Sequence, residues 1–184
     1  MVNIERELYE LAYKGDLNKI KQIYAKNKVG RTNAVINAGA ANNLDVLTFF
    51  IEETKCYVGH SLFYCTARSG SYDCLKYLID NQEITWPNMD ISHKKLIIND
   101  SIIGNNVKCV KYCLSKGYPF DTMSLVFAGG TQNKALIEFV FNNNAPFVDN
   151  ALLAAKINGS TVFLNFCKEK NIVPVKGSFP NYII

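Results

Sequence analysis

The chain is poor in the residues from which sites of chemistry are most often built. It has two histidines, His60 and His93, one tryptophan, Trp86, and three arginines, Arg6, Arg31 and Arg68. No apolar run approaches the roughly 18 residues that a membrane-crossing helix needs. The opening Met1-Val2-Asn3-Ile4-Glu5-Arg6-Glu7 is too polar and acidic for a secretory signal. No membrane association is expected, and a cytoplasmic location is. The six cysteines include no Cys-x-x-Cys pair, and without a signal peptide they are expected as free thiols. Cys109 and Cys113 stand four apart and could share a helix face, but only two histidines exist to complete a tetrahedral site, so no metal and no cofactor are expected.

Catalytic patterns are lacking as well. Gly129-Gly130 has no following Lys-Ser/Thr, so it is not a phosphate loop, and no Gly-x-Ser-x-Gly occurs. The carboxylates are scattered, and no constellation satisfies the geometric demands of an active site. The chain is read as a non-enzyme. Net charge is only +4, and the basic residues are mostly lysines without an arginine cluster. Nucleic-acid binding is therefore not expected.

What is present is rhythm. Gly70-Ser71-Tyr72-Asp73-Cys74-Leu75-Lys76-Tyr77-Leu78 reads as a tight turn followed by an amphipathic helix. Weaker copies turn at Gly15, Asn42, Asn105, Gln132 and Gly159, with intervals of 27, 28, 35, 27 and 27 residues counted along the chain. Glycine or asparagine at five of these six turns suits a backbone at positive φ. A small residue precedes most turns by four: Ala38, Thr66, Ser101, Ala128 and Ala155. Such residues allow helices to approach closely. Asp121 is expected to cap a helix after Pro119, with Thr32, Ser61 and Ser92 as further caps. Each copy is one helical hairpin, and a single hairpin cannot bury its own apolar face.

The segments 70–78, 108–112 and Gly117-Tyr118-Pro119-Phe120-Asp121 resemble ankyrin repeats, more narrowly the short type of about 27 residues seen in giant DNA viruses and amoebae. The Thr-Pro-Leu-His turn of the usual repeat is missing, so β-hairpins are expected to be short or absent. The resemblance implies an all-α solenoid of about six hairpins over residues 1–171, with units at about 4–30, 31–58, 59–91, 92–120, 121–148 and 149–171. A non-helical tail would cover 172–184.

The resemblance also implies a binding module acting on a partner protein through a concave face, here as a viral or microbial protein acting on host proteins. A monomer is expected. Tyr13, Lys14, Arg68, Ser69, Ile103, Thr131 and Asn158 would line that face. Trp86 and His93 join them because the interval of 35 holds an insertion with the only tryptophan, and insertions in repeats often carry the binding surface. The other reading is that Trp86-Pro87 packs beneath the loop, standing where Tyr118-Pro119-Phe120 and Pro146-Phe147 stand in other units. The alternative function is a structural component that assembles through a terminal face or the apolar tail.

Overall fold

The computed structural model describes residues 4–27, 32–147 and 149–172. Every regular element among them is helical. The chain divides into two compact units, Met1–Tyr118 and Pro119–Ile184.

The first unit begins with α1 (Ile4–Lys14) and α2 (Leu17–Lys26), then α3 (Thr32–Ala40) and α4 (Leu44–Thr48), which runs on as a π-helical turn over Phe49–Glu53. It continues with α5 (His60–Arg68), α6 (Tyr72–Asp80), a single turn α7 (Gln82–Thr85), α8 (Ile91–Ile103) and α9 (Val107–Ser115). Helices far apart in sequence form its interior, with α1 against α3, α3 against α5 and α5 against α8. The second unit holds α10 (Thr122–Gly129), α11 (Lys134–Asn142), α12 (Asp149–Ile157) and α13 (Thr161–Glu169), with α10 against α12 and α11 against α13.

Local sequence explains the helix ends. Gly15, Asn42, Gly70, Asn105 and Gly159 all have positive φ, at the turns where the intervals place them. Gln132 does not, and the turn there is built differently, with the Thr131 hydroxyl donating to Ala128 O at 2.8 Å. Asp121 caps α10, and Ser124 returns the bond to the Asp121 N–H at 3.0 Å. The other expected caps shift. Asp90, not Ser92, precedes α8 and accepts the His93 N–H, while α5 starts behind Gly59 rather than Ser61. Thr32 is already the first residue of α3.

The small residues before the turns lie at helix crossings. Ala38, Thr66, Ser101, Ala128 and Ala155 are all fully buried. The α3–α5 crossing is tight enough that a Cβ on Gly39 would stand 2.5 Å from Thr66 Oγ1 and 2.6 Å from Leu62 Cδ1. Thr66 Oγ1 is buried there with no hydrogen-bond partner among the described residues. Thr66→Val keeps the shape and removes the unpaired hydroxyl. Relieving that desolvation penalty is expected to stabilise the protein by about 1 kcal/mol, read as a higher urea midpoint with an unchanged slope.

The linear solenoid expected from the rhythm is not what the helices form. They pack into two separate units through contacts between helices distant in sequence. The rhythm fixes where a helix turns back on itself; it carries no information on how successive hairpins group. The helical hairpin is shared by many all-α folds, so its recurrence does not select one architecture. With the array goes its concave face. The tail beyond residue 172, to which assembly was assigned, lies outside the described residues.

Candidate functional site

The insertion that breaks the rhythm folds as α7 and the turn Trp86-Pro87-Asn88 leading to Asp90, the cap of α8. Thr85 is buried and donates to Leu78 O at 2.9 Å, tying the segment back onto α6. Met89 is also buried, and the Tyr118 hydroxyl lies 3.4 Å from its sulfur.

Trp86 is half-buried between α5 and the start of α8. Its ring centroid is 4.6 Å from that of His93, 5.4 Å from Phe63, 6.1 Å from His60 and 6.2 Å from Tyr64. These separations are those of favourable tilted aromatic pairs. Sequence reasoning left Trp86 between packing and binding, and one face of the ring packs. His93 Nδ1 lies 2.7 Å from Asp90 Oδ1. The His93 backbone N–H, the side-chain bond and the nearby ring together hold the Asp90 carboxyl below its usual range.

Trp86 also lines a surface cavity of about 420 Å³. One wall is the non-helical stretch from Lys55 to Val58, and the other runs from Ile84 to Asn88. Lys55 has φ +52°, which swings the chain out of the π-helical turn. Tyr57 and Ile84 are the two most exposed large apolar side chains among the described residues, at 81% and 76%. Both line this one cavity. A second hollow of about 430 Å³ shares Ile84 and Pro87 with the first and is lined by Ile79, Asp80, Gln82 and Glu83. Ile84 and Pro87 thus form a ridge between two adjoining hollows.

Asp80 belongs to a network of its own. It accepts from Lys76 and Lys116, each at 2.6 Å, and from the Tyr112 hydroxyl. Partial burial raises its pKa, but these donors outweigh burial and hold the carboxyl far below the usual range. A depressed carboxyl stabilises the fold above its unfolded pKa and loses that contribution as pH falls through the folded value.

Arg68 is engaged rather than free. Its Nε donates to Asp100 Oδ1 at 2.9 Å and its Nη2 to the same oxygen at 2.5 Å. The arginine side chain is 64% exposed, the aspartate 9%. Burial raises the Asp100 pKa, and Arg68 only partly offsets it. An acid with a raised folded pKa costs stability as pH rises from its unfolded value through the folded one. Arg68→Ala removes the offset and is expected to cost about 1–3 kcal/mol at pH 7. The deficit should shrink at a second, acidic pH, because the Asp100 carboxyl, held above its usual range by burial, takes up its proton before an ordinary carboxylate does. Urea unfolding at the two pH values measures the difference.

The other residues expected to bind do not share one place. Tyr13 and Lys14 line a separate hollow with Tyr9, Glu10 and Asn37. Ser69 caps the end of α5, and Ile103 closes α8. Thr131 and Asn158 belong to the second unit, where their backbones close the ends of α10 and α12. Tyr57, Val58 and Ile84 were missed as site residues. Tyr57 follows the hairpin pattern too loosely to be placed by it, and an isolated Ile84 carries no sequence signal of exposure.

Five of the six thiols are buried. Burial pushes Cys74, Cys109 and Cys113 up to about 12, so they behave as small apolar groups rather than nucleophiles. Among the described residues no group of three His, Cys, Asp or Glu side chains could hold a metal ion. Among them, too, no helix is long and apolar enough to cross a membrane.

The chain matches no protein-family model, and no curated protein matches it. The resemblance to ankyrin repeats is therefore overturned twice, by that result and by the grouping of the helices into two units. The viral, host-directed role drawn from the resemblance falls with it.

Proposed function

We propose that this is a non-catalytic protein-binding domain, and that its partner seats an apolar side chain in the cavity between residues 55–58 and 84–88. The observation that carries the reading is the placement of Tyr57 and Ile84. Two large apolar side chains left in water on opposite walls of one cavity cost solvation free energy that a partner would recover. Trp86 at the base supplies the kind of rigid aromatic surface enriched at interface centres. The site differs from the concave face of a repeat array: it uses the insertion and the loop facing it.

A protein partner suits the site better than nucleic acid does, because Lys55 is the only cation among the described residues that line either hollow, and Glu83 lines the second. Neither hollow offers a membrane an extended apolar face. The protein is taken to act as a cytoplasmic monomer with reduced thiols. Ile84→Asp tests the reading. Ile84 is mostly exposed, so the fold is expected to survive with an unchanged circular dichroism spectrum. Binding to a partner isolated from the native cell is expected to fall about tenfold or more, the loss of a central interface anchor. Undiminished binding by Ile84→Asp would remove the assignment.

A further inference from the structure

The wall at Tyr57-Val58, with Gly59 following it, has the properties of a strand without a neighbour. Cys56 is buried, Tyr57 exposed and Val58 half-buried, the alternation of an extended chain. Gly59 is extended, at φ −109° and ψ 173°. Neither the N–H nor the C=O of Val58 has a hydrogen-bond partner among the described residues, and the N–H groups of Tyr57 and Gly59 have none either. A residue with both backbone groups open can form a complete hydrogen-bonded pair with one residue of an added strand. The opposite wall cannot compete for that role, because Pro87 has no N–H.

The two hollows also differ in charge. Lys55 lines the first and makes no ion pair among the described residues. Glu83 lines the second and likewise makes none, while Asp80 beside it is already committed to Lys76 and Lys116. The free charges are therefore positive at one hollow and negative at the other, with the apolar ridge of Ile84 and Pro87 between.

We infer that the groove receives an extended segment of a partner protein that pairs with the backbone of Val58, buries an apolar side chain against Ile84 and Trp86, and places an acidic residue at Lys55 and a basic residue at Glu83. This rests on reading the groove as the protein-binding site and adds the chemistry of what it binds. The backbone pairing supplies direction, the ridge supplies the anchor, and the two charges fix the order of the segment in the groove.

The test is selection of short random peptides displayed on phage against the full chain, followed by calorimetry with the synthetic winners. The expected winners carry an acidic residue, an apolar residue and a basic residue in a constant order. Ile84→Asp is expected to weaken them about tenfold or more. Lys55→Glu is expected to weaken them about threefold, the scale of an exposed ion pair. Replacing the peptide's acidic residue by lysine should restore binding to that variant. Winners that lose affinity with Ile84→Asp but ignore both Lys55→Glu and Glu83→Lys would overturn the charge order while leaving the site. Winners indifferent to Ile84→Asp, or no winners at all, would overturn the groove itself. Self-association of the chain that Ile84→Asp dissolves would replace the partner segment by a second copy and overturn the inference.

Discussion

Replacing Trp86 by alanine is expected to cost about 3 kcal/mol, the lower end of the range for removing a large aromatic side chain from packed surroundings. The lower end applies because the ring is half-buried. Its inner face loses Phe63, His60, Tyr64 and His93 together. Those rings come from α5 and α8, so the indole helps to hold two packed helices of the first unit in register. Trp86→Phe retains much of this contact and is expected to lose less than half as much. Urea unfolding followed by far-ultraviolet circular dichroism measures both, since the variants lack the only tryptophan. The same substitution also removes the base of the groove. A loss of binding by Trp86→Ala therefore has to be read beside Ile84→Asp, whose side chain contributes little to the fold.

The second large effect is expected at Gly104, the residue following α8. Its φ is −65°, which any residue adopts, so glycine is not required there for its backbone freedom. It is required for space. A Cβ would stand 2.6 Å from Ala67 O and 2.7 Å from Arg68 O, both backbone atoms at the end of α5. A side chain could rotate away, but a carbonyl in the last turn of a helix cannot move without moving the helix. Gly104→Ala is expected to push α8 off α5 at a cost of about 3 kcal/mol, the upper end of overpacking effects. It should also strain the Arg68–Asp100 contact, since that pair bridges the same two helices. Gly117 provides the contrast. It has φ +78°, and a Cβ added there would meet nothing within 4 Å among the described residues. Gly117→Ala is therefore expected to cost only the strain of its backbone conformation, about 1 kcal/mol. Thermal unfolding of the two variants separates crowding from strain.

Those residues also show what the sequence could and could not convey. Gly15, Asn42, Gly70, Asn105 and Gly159 were legible because positive φ leaves few residue choices. The buried small residues at 38, 66, 101, 128 and 155 were legible because helices that approach closely exclude large side chains. A further signal was present and went unread. The residue after each turn is short and polar, and several of these reach across to a neighbouring loop. In the first unit Asn43 donates to Ala12 O at 2.8 Å, Ser71 to Ala40 O at 2.7 Å and Asn106 to Gly70 O at 2.6 Å. In the second, Ser160 donates to Thr131 O at 2.5 Å.

The grouping of hairpins was not legible. It depends on which distant faces meet, and a period of about 27 residues is silent on that. Family resemblance filled the gap with an array that the chain does not form. The site was half legible. The broken interval pointed to residues 81–91 and to Trp86, but the opposite wall at Tyr57 and Val58 is defined only by the fold that brings it near Ile84. Arg68 was expected to line a binding face, and its guanidinium pairs with the buried Asp100 carboxylate. A contact over 32 positions leaves no local trace.

Site-specific photo-cross-linking in the native cell tests the central claim most directly. A photoreactive phenylalanine analogue is placed in turn at Tyr57, at Ile84 and at Ile157, which is 73% exposed in the second unit and matches them in exposure. The account predicts that positions 57 and 84 cross-link to the same protein and that position 157 does not. Cross-linking to that protein from 157 as readily as from 57 and 84, or none from 57 and 84, would contradict it.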